Sequence, residues 1–95
     1  MKRLAASHHF QKQLKKLNVR DQKRTTDKLK EFLGVLKNGK IPAGYGFKKI
    51  NGDKYEIRVD LKIRIAMQLD GDTLVCHVIG NHESIKNYLR DYRNK

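Results

Sequence analysis

Cysteine is nearly absent from this sequence, and the one thiol, Cys76, has no partner for an internal disulfide. Flanked by Val75 and Val78, it reads as a small core residue. Long apolar runs are missing as well. No stretch approaches the ~20 residues needed to cross a bilayer. The opening Met1-Lys2-Arg3-Leu4-Ala5-Ala6-Ser7-His8 breaks before a signal-peptide core forms, so a cytoplasmic protein with no membrane contact is expected. Acidic residues are scarce: 10 Asp and Glu stand against 22 Lys and Arg, a net charge of +12 spread through the chain and not gathered in a tail. Charge of this size points to an acidic partner, nucleic acid or an acidic protein, without choosing between them.

Several catalytic signatures are also missing. There is no GxxxxGK(S/T) phosphate loop, no GxSxG, and no acidic cluster able to hold magnesium, which excludes phosphoryl transfer from ATP. His8 and His9 are adjacent and not spaced by a helical turn, and His77 lies in an apolar segment, so neither a metal nor another cofactor is expected. At 95 residues and 38% hydrophobic content, the chain suffices for one core and one domain, residues 1–95. A chain this short buries only about two thirds of its unfolded surface, so an active surface should be open.

The only proline, Pro42, marks a loop from Asn38 to Gly44 that separates a helical half from a strand-rich half. Ser7 is a natural N-cap for a first helix with Phe10, Leu14 and Leu17 on one face. A second helix starts near Asn18 or Asp21, carries Leu29, Phe32, Leu33 and Leu36, and stops at Asn38-Gly39, giving a helical hairpin. Beyond Pro42 the period becomes two. Tyr55, Ile57 and Val59 alternate with charged residues, as do Ile63, Ile65, Met67 and Leu69 with Lys62, Arg64, Ala66 and Gln68. Thr73 to Ile79 is a third, mostly apolar strand, Phe47 to Ile50 leads into the first hairpin, and Arg3 to Ala6 is a candidate short edge strand. Asn51-Gly52 and Asp70-Gly71 supply turns. After Gly80, Asn81 can cap a short terminal helix bearing Ile85, Tyr88, Leu89 and Tyr92. The fold class is α+β: an N-terminal helical hairpin on a mostly antiparallel sheet of four or five strands, with a short C-terminal helix.

If the apolar strand rows face the helices, Glu56, Arg58, Lys62, Arg64 and Gln68 face solvent, with Lys48 or Lys49 nearby. Two guanidinium groups on paired strands can each grip a phosphate through parallel hydrogen bonds. The plainer alternative is the solvated polar face of a basic protein. His82, at the start of the terminal helix, can exchange a proton near neutral pH, as phosphodiester cleavage requires, or be a bystander. The terminal aromatic stripe docks on the core, or stacks bases.

The segments Tyr55-Glu56-Ile57-Arg58-Val59, Ile63-Arg64-Ile65-Ala66-Met67 and Val78-Ile79-Gly80-Asn81-His82, followed by Tyr88, resemble the RelE/ParE superfamily of type II toxins. The similarity runs in order through nearly the whole chain. With a histidine at position 82, the sequence is most similar to the YafQ-like and YoeB-like members of the RelE-like messenger-RNA interferase branch. That resemblance implies a metal-independent endoribonuclease that cuts messenger RNA in the A site of the 70S ribosome by 2′-hydroxyl attack, silenced by an acidic antitoxin. It implies that Arg64 holds the scissile phosphate, Arg58 contacts RNA, His82 serves as acid or base, and Tyr88, or alternatively Tyr92, is the active-site aromatic. Glu56 stands where the RelE pattern has lysine, and it is either a general base or an ion-pair partner of Arg58 or Lys54. Lys48, Lys49, Lys54 and Lys62 are the remaining candidate RNA contacts. Two rivals share the scaffold: a ParE-like inhibitor of DNA gyrase and a non-catalytic RNA-binding module.

Overall fold

A computed structural model describes residues 1–93, with side chains through Arg90. The elements run β1 (Arg3–Ala6), α1 (His8–Lys16), α2 (Val19–Asn38), β2 (Phe47–Asn51), β3 (Lys54–Arg58), β4 (Arg64–Asp70), β5 (Thr73–Gly80) and α3 (His82–Arg93). The strands form one five-stranded sheet in the order β1-β5-β4-β3-β2, antiparallel except where β1 runs parallel to β5.

Local chemistry sets the helix ends. The Ser7 hydroxyl accepts the Phe10 amide and the Asn18 carboxamide oxygen accepts the Asp21 amide, while Gly39, at a φ of 78°, closes α2. Phe10 from α1, with Phe32 and Leu36 from α2, packs on Tyr55, Ile57, Ile65, Met67, Leu74 and Cys76 from the sheet. Burial pushes the Cys76 thiol up to about 12, which makes it an inert part of that core. Both hairpin loops fall one residue later than the dipeptides first marked: Asn51 still pairs with Lys54 and Asp70 with Thr73, leaving Gly52-Asp53 and Gly71-Asp72 as the two-residue turns.

One expectation is overturned. The second sheet face is not open along its length, because α3 folds back over it and buries Ile85 and Leu89 against Ala66, beside Ile50, Val78 and Tyr88. The amphipathic terminal helix thus makes a second small core, and Glu56 lies at its margin with 4% of its surface exposed. No helix among the described residues is long and apolar enough to cross a membrane.

The turn between β3 and β4 also departs from the alternation. Asp60 Oδ1 accepts the amides of Lys62 and Ile63, each at 2.8 Å, and Oδ2 meets Arg24 Nη1 at 3.2 Å. This turn takes Lys62 out of the strand, so that β4 begins at Arg64. Burial disfavours the Asp60 charge, but the Ile63 and Lys62 amides and then Arg24 outweigh it and hold the carboxyl below its usual range. With the folded-state value lowered, the stabilisation is complete above the unfolded value of about 3.9 and is lost as pH falls through the folded one. Asp60→Ala is expected to lower stability by about 1–2 kcal/mol at neutral pH. Urea unfolding at neutral and acidic pH checks this: the gap between variant and parent should narrow in acid.

Candidate functional site

The Asp60 turn fixes where β3 ends and β4 begins, and the site is built at that end of the sheet. Register sets Arg58 beside Arg64 and Arg64 beside Gly80; the row behind sets Lys48 beside Glu56, Glu56 beside Ala66, and Ala66 beside Val78. Strand alternation turns both rows toward the face that α3 partly covers. The expected pairing of two arginines on adjacent strands is present.

Glycines permit two close approaches here. A Cβ on Gly80 would sit 2.8 Å from the Ser84 Cβ, so only glycine lets the first turn of α3 fold onto the strand end. Asn81 Oδ1 then accepts the Ser84 amide at 2.8 Å, which makes His82 the first, exposed residue of α3. Gly46, at a φ of 96°, lies against Arg58, and its carbonyl accepts the Arg58 amide at 3.1 Å. Just before it, Tyr45 donates its hydroxyl hydrogen to Glu31 Oε1 at 2.7 Å and stacks on Phe32, with Lys28 Nζ 3.9 Å above its ring. Burial, the bond to Glu31 and the Glu31 charge all push the Tyr45 phenol upward, so it stays a donor and ties the loop to α2.

Glu56 is the electrostatic centre. Its Oε2 accepts from Arg64 Nη1 at 3.2 Å and lies 3.6 Å from Lys48 Nζ. The ion-pair partners proposed from sequence, Arg58 and Lys54, are therefore replaced by Arg64 and Lys48. Arg58 is turned toward Gly46, and Lys54, at the far end of β3, bonds Asp53 at 2.7 Å. Burying a carboxylate is unfavourable unless it is paired, and here two cations neutralise it. Arg64 Nε, in contrast, is buried with no hydrogen-bond partner among the described residues. A buried, unsatisfied donor costs about 1–3 kcal/mol.

Two adjoining clefts flank the Lys48–Glu56 pair. One, of about 480 Å³, is lined by Arg58, Arg64 and the loop from Ile41 to Gly46. The other, of about 340 Å³, lies between β2 and α3, with His82 at its edge. Of the sequence candidates, then, Arg58 and Arg64 line the first cleft, His82 the second, and Lys48 and Glu56 both.

Others do not join them. Lys49 is paired with Tyr55, a helix-side core residue, so alternation turns it to the opposite face. Lys62 lines a separate depression with Arg20 and Arg24. Tyr88, six positions after His82, falls on the other flank of α3 and stacks on His77 with ring centroids 6.4 Å apart. Burial first, then the charges of Lys54 and His9, lower the His77 pKa, so this flank favours a neutral imidazole. The side chain of Tyr92 lies outside the described residues.

Ile50, Asn51, Lys86, Leu89 and Arg90 line the His82 cleft and were missed as site residues. A signal was there to be used: 82, 86, 89 and 90 fall on one stripe of a 3.6-residue helix.

The chain is similar to E. coli YafQ from strain BL21(DE3), with a TM-score of 0.60 and 21% identity over 90% of this chain and 98% of that one. The RelB–RelE antitoxin–toxin complex from Methanococcus jannaschii matches with a TM-score of 0.65 and 24% identity over 88% of this chain and 96% of that one. The E. coli DinJ–YafQ toxin–antitoxin complex gives a TM-score of 0.61 and 22% identity, covering 90% and 98%. The chain has the RelE-like toxin fold. No family model matches the sequence, and neither does any curated protein. In this RelE-like fold the two arginines and the terminal-helix histidine sit on the sheet face away from the helical hairpin, at the end where β3 stops.

Proposed function

We propose that this protein is the toxin of a type II toxin–antitoxin pair and a ribosome-dependent endoribonuclease that cuts messenger RNA in the A site. The observation that carries the reading is Arg64: a half-buried guanidinium with one edge held by Glu56 and the Nε left unpartnered beside Arg58. In this mechanism the Arg64 side chain shifts to bring its unpartnered Nε edge to the scissile phosphate, and Arg58 shares the charge that builds on the pentavalent phosphorus. The 2′-oxygen attacks phosphorus and gives up its proton to water in the open cleft. The bond from phosphorus to the 5′-oxygen breaks, and His82 donates a proton to the departing oxygen. Lys48 binds the flanking RNA backbone. Similarity to the toxin chains of RelB–RelE and DinJ–YafQ complexes supports an antitoxin partner, and an acidic segment laid over this cationic depression would silence it.

The experiment is expression without an antitoxin, followed by cleavage in a purified translation system. Growth should stop and transcripts should be cut within translated reading frames. Collapse of DNA supercoiling with intact transcripts would instead establish the gyrase-inhibitor rival.

Glu56 serves this reading as the residue that holds Arg64 and Lys48 in place. Glu56→Gln keeps an oxygen acceptor for Arg64 but loses the charge, so cleavage should fall by less than about tenfold while thermal stability drops measurably. A general base would behave differently: its loss should cost roughly 10²-fold or more with stability little changed.

A further inference from the structure

The phosphate chemistry proposed above occupies the arginine cleft and one edge of the neighbouring one, yet the interior of the cleft beneath His82 is apolar. Ile50 from β2 and Leu89 from α3 form its walls. Lys86 and Arg90, one helical turn apart and exposed, stand on its rim with Lys48 across from them. Phosphate binding has no use for apolar walls. A flat ring with a charged backbone on either side uses both features, and about 340 Å³ is at the small end of ligand sites, room for a single nucleotide unit. The cleft also shares Lys48 and Glu56 with the arginine cleft, so a nucleotide seated here lies next to the cleft that Arg64 lines. Asn51, half-buried in the lining, carries a carboxamide with both donor and acceptor groups, the chemistry needed to read a base edge.

We propose that this cleft takes one unstacked nucleobase of the RNA, from the nucleotide adjoining the scissile phosphate, and that Asn51 reads its edge. The inference rests on the ribonuclease reading and adds a subsite to it. Sequence-specific recognition of single-stranded RNA works through splayed bases whose faces rest on protein and whose edges are hydrogen-bonded. On this account Ile50 and Leu89 accept any base, and Asn51 distinguishes among them. Lys86 and Arg90 hold the flanking phosphate without regard to sequence.

The test is an NMR titration of the full chain with 2′-O-methylated trinucleotides, which carry bases and phosphates but lack the attacking hydroxyl. The set comprises the four homotrinucleotides and one with an abasic central residue. The Asn51 carboxamide and the Ile50 and Leu89 methyl signals should move, and the abasic probe should bind roughly tenfold more weakly than the best homotrinucleotide. Asn51→Ala should erase the differences among the four bases, and Arg90→Ala should weaken all of them alike. Equal binding of the abasic probe, or no measurable binding, overturns the proposal. So does an acidic, leucine-bearing peptide that moves these signals where the trinucleotides do not, because it assigns the cleft to a protein partner. The two readings fail separately. A chain that passes the titration but cuts no RNA loses the ribonuclease and keeps the base site; one that cuts RNA but fails the titration does the reverse.

Discussion

Replacing His82 with glutamine is expected to lower the rate of RNA cleavage by roughly 10²- to 10⁴-fold, the range for removing general acid catalysis. Fold and ribosome association should survive. His82 is exposed at the first position of α3, and the cap of that helix belongs to Asn81, so the substitution takes away a proton donor without opening the core. What separates an acid from a binding residue is the leaving group. A substrate with sulfur in place of the bridging 5′-oxygen departs as a thiolate and needs little protonation, so it should restore most of the rate lost in His82→Gln. Single-turnover cleavage of the two substrates on programmed ribosomes measures this directly. Parental cleavage of normal RNA by the variant, or no rescue by sulfur, would remove His82 from the acid role.

Much of the architecture was legible because periodicity and capping chemistry agreed. Ser7, Asn18 and Gly39 bound their helices where the sequence placed them, and the alternation around Ile57 and Ile65 gave both strands and the side facing the hairpin. The edge strand Arg3–Ala6 was legible as a strand, but its parallel pairing with β5 depends on the chain returning across the helical hairpin, a tertiary fact with no local signal. Strand limits slipped where a side chain competed with the ladder. Asp60 captures the Lys62 and Ile63 amides, and alternation alone gives no warning of that.

The site divides in the same way. Arg58 and Arg64 could be paired from hairpin arithmetic, since each is set by a strand period and a short turn. Glu56 could not be placed, because a charged residue in an alternating strand reads as solvent-facing until something covers it. Here the cover is α3, whose Ile85 and Leu89 were visible as an apolar stripe but whose landing place was not. Burial then selects the partners: Glu56 is held by the cations nearest in three dimensions, Arg64 and Lys48, on the strands to either side. Tyr88 shows the converse. The family resemblance alone put it in the active site, and the turn of the helix carries it to His77.

Arg64→Ala is expected to slow cleavage by roughly 10²- to 10³-fold, the usual loss when a preorganised donor to transition-state charge is removed. The bridging-sulfur substrate should not rescue it, because the charge that Arg64 meets is on the non-bridging oxygens and not on the leaving group. The variant has a second defect that must be separated from the first: Glu56 is buried, and without Arg64 its carboxylate keeps only the longer contact with Lys48. Some loss of stability should therefore accompany the loss of rate. Arg64→Lys separates the two, since an ammonium can neutralise Glu56 but cannot offer a planar pair of donors to a phosphate. It should melt close to the parent and still cleave at least about tenfold more slowly. If Arg64→Lys cuts at the parental rate, a single positive charge is all the site needs, and the unpartnered Nε has no part in holding phosphate. If it is as unstable as the alanine variant, the guanidinium is there for Glu56 first, and the catalytic charge must come from Arg58.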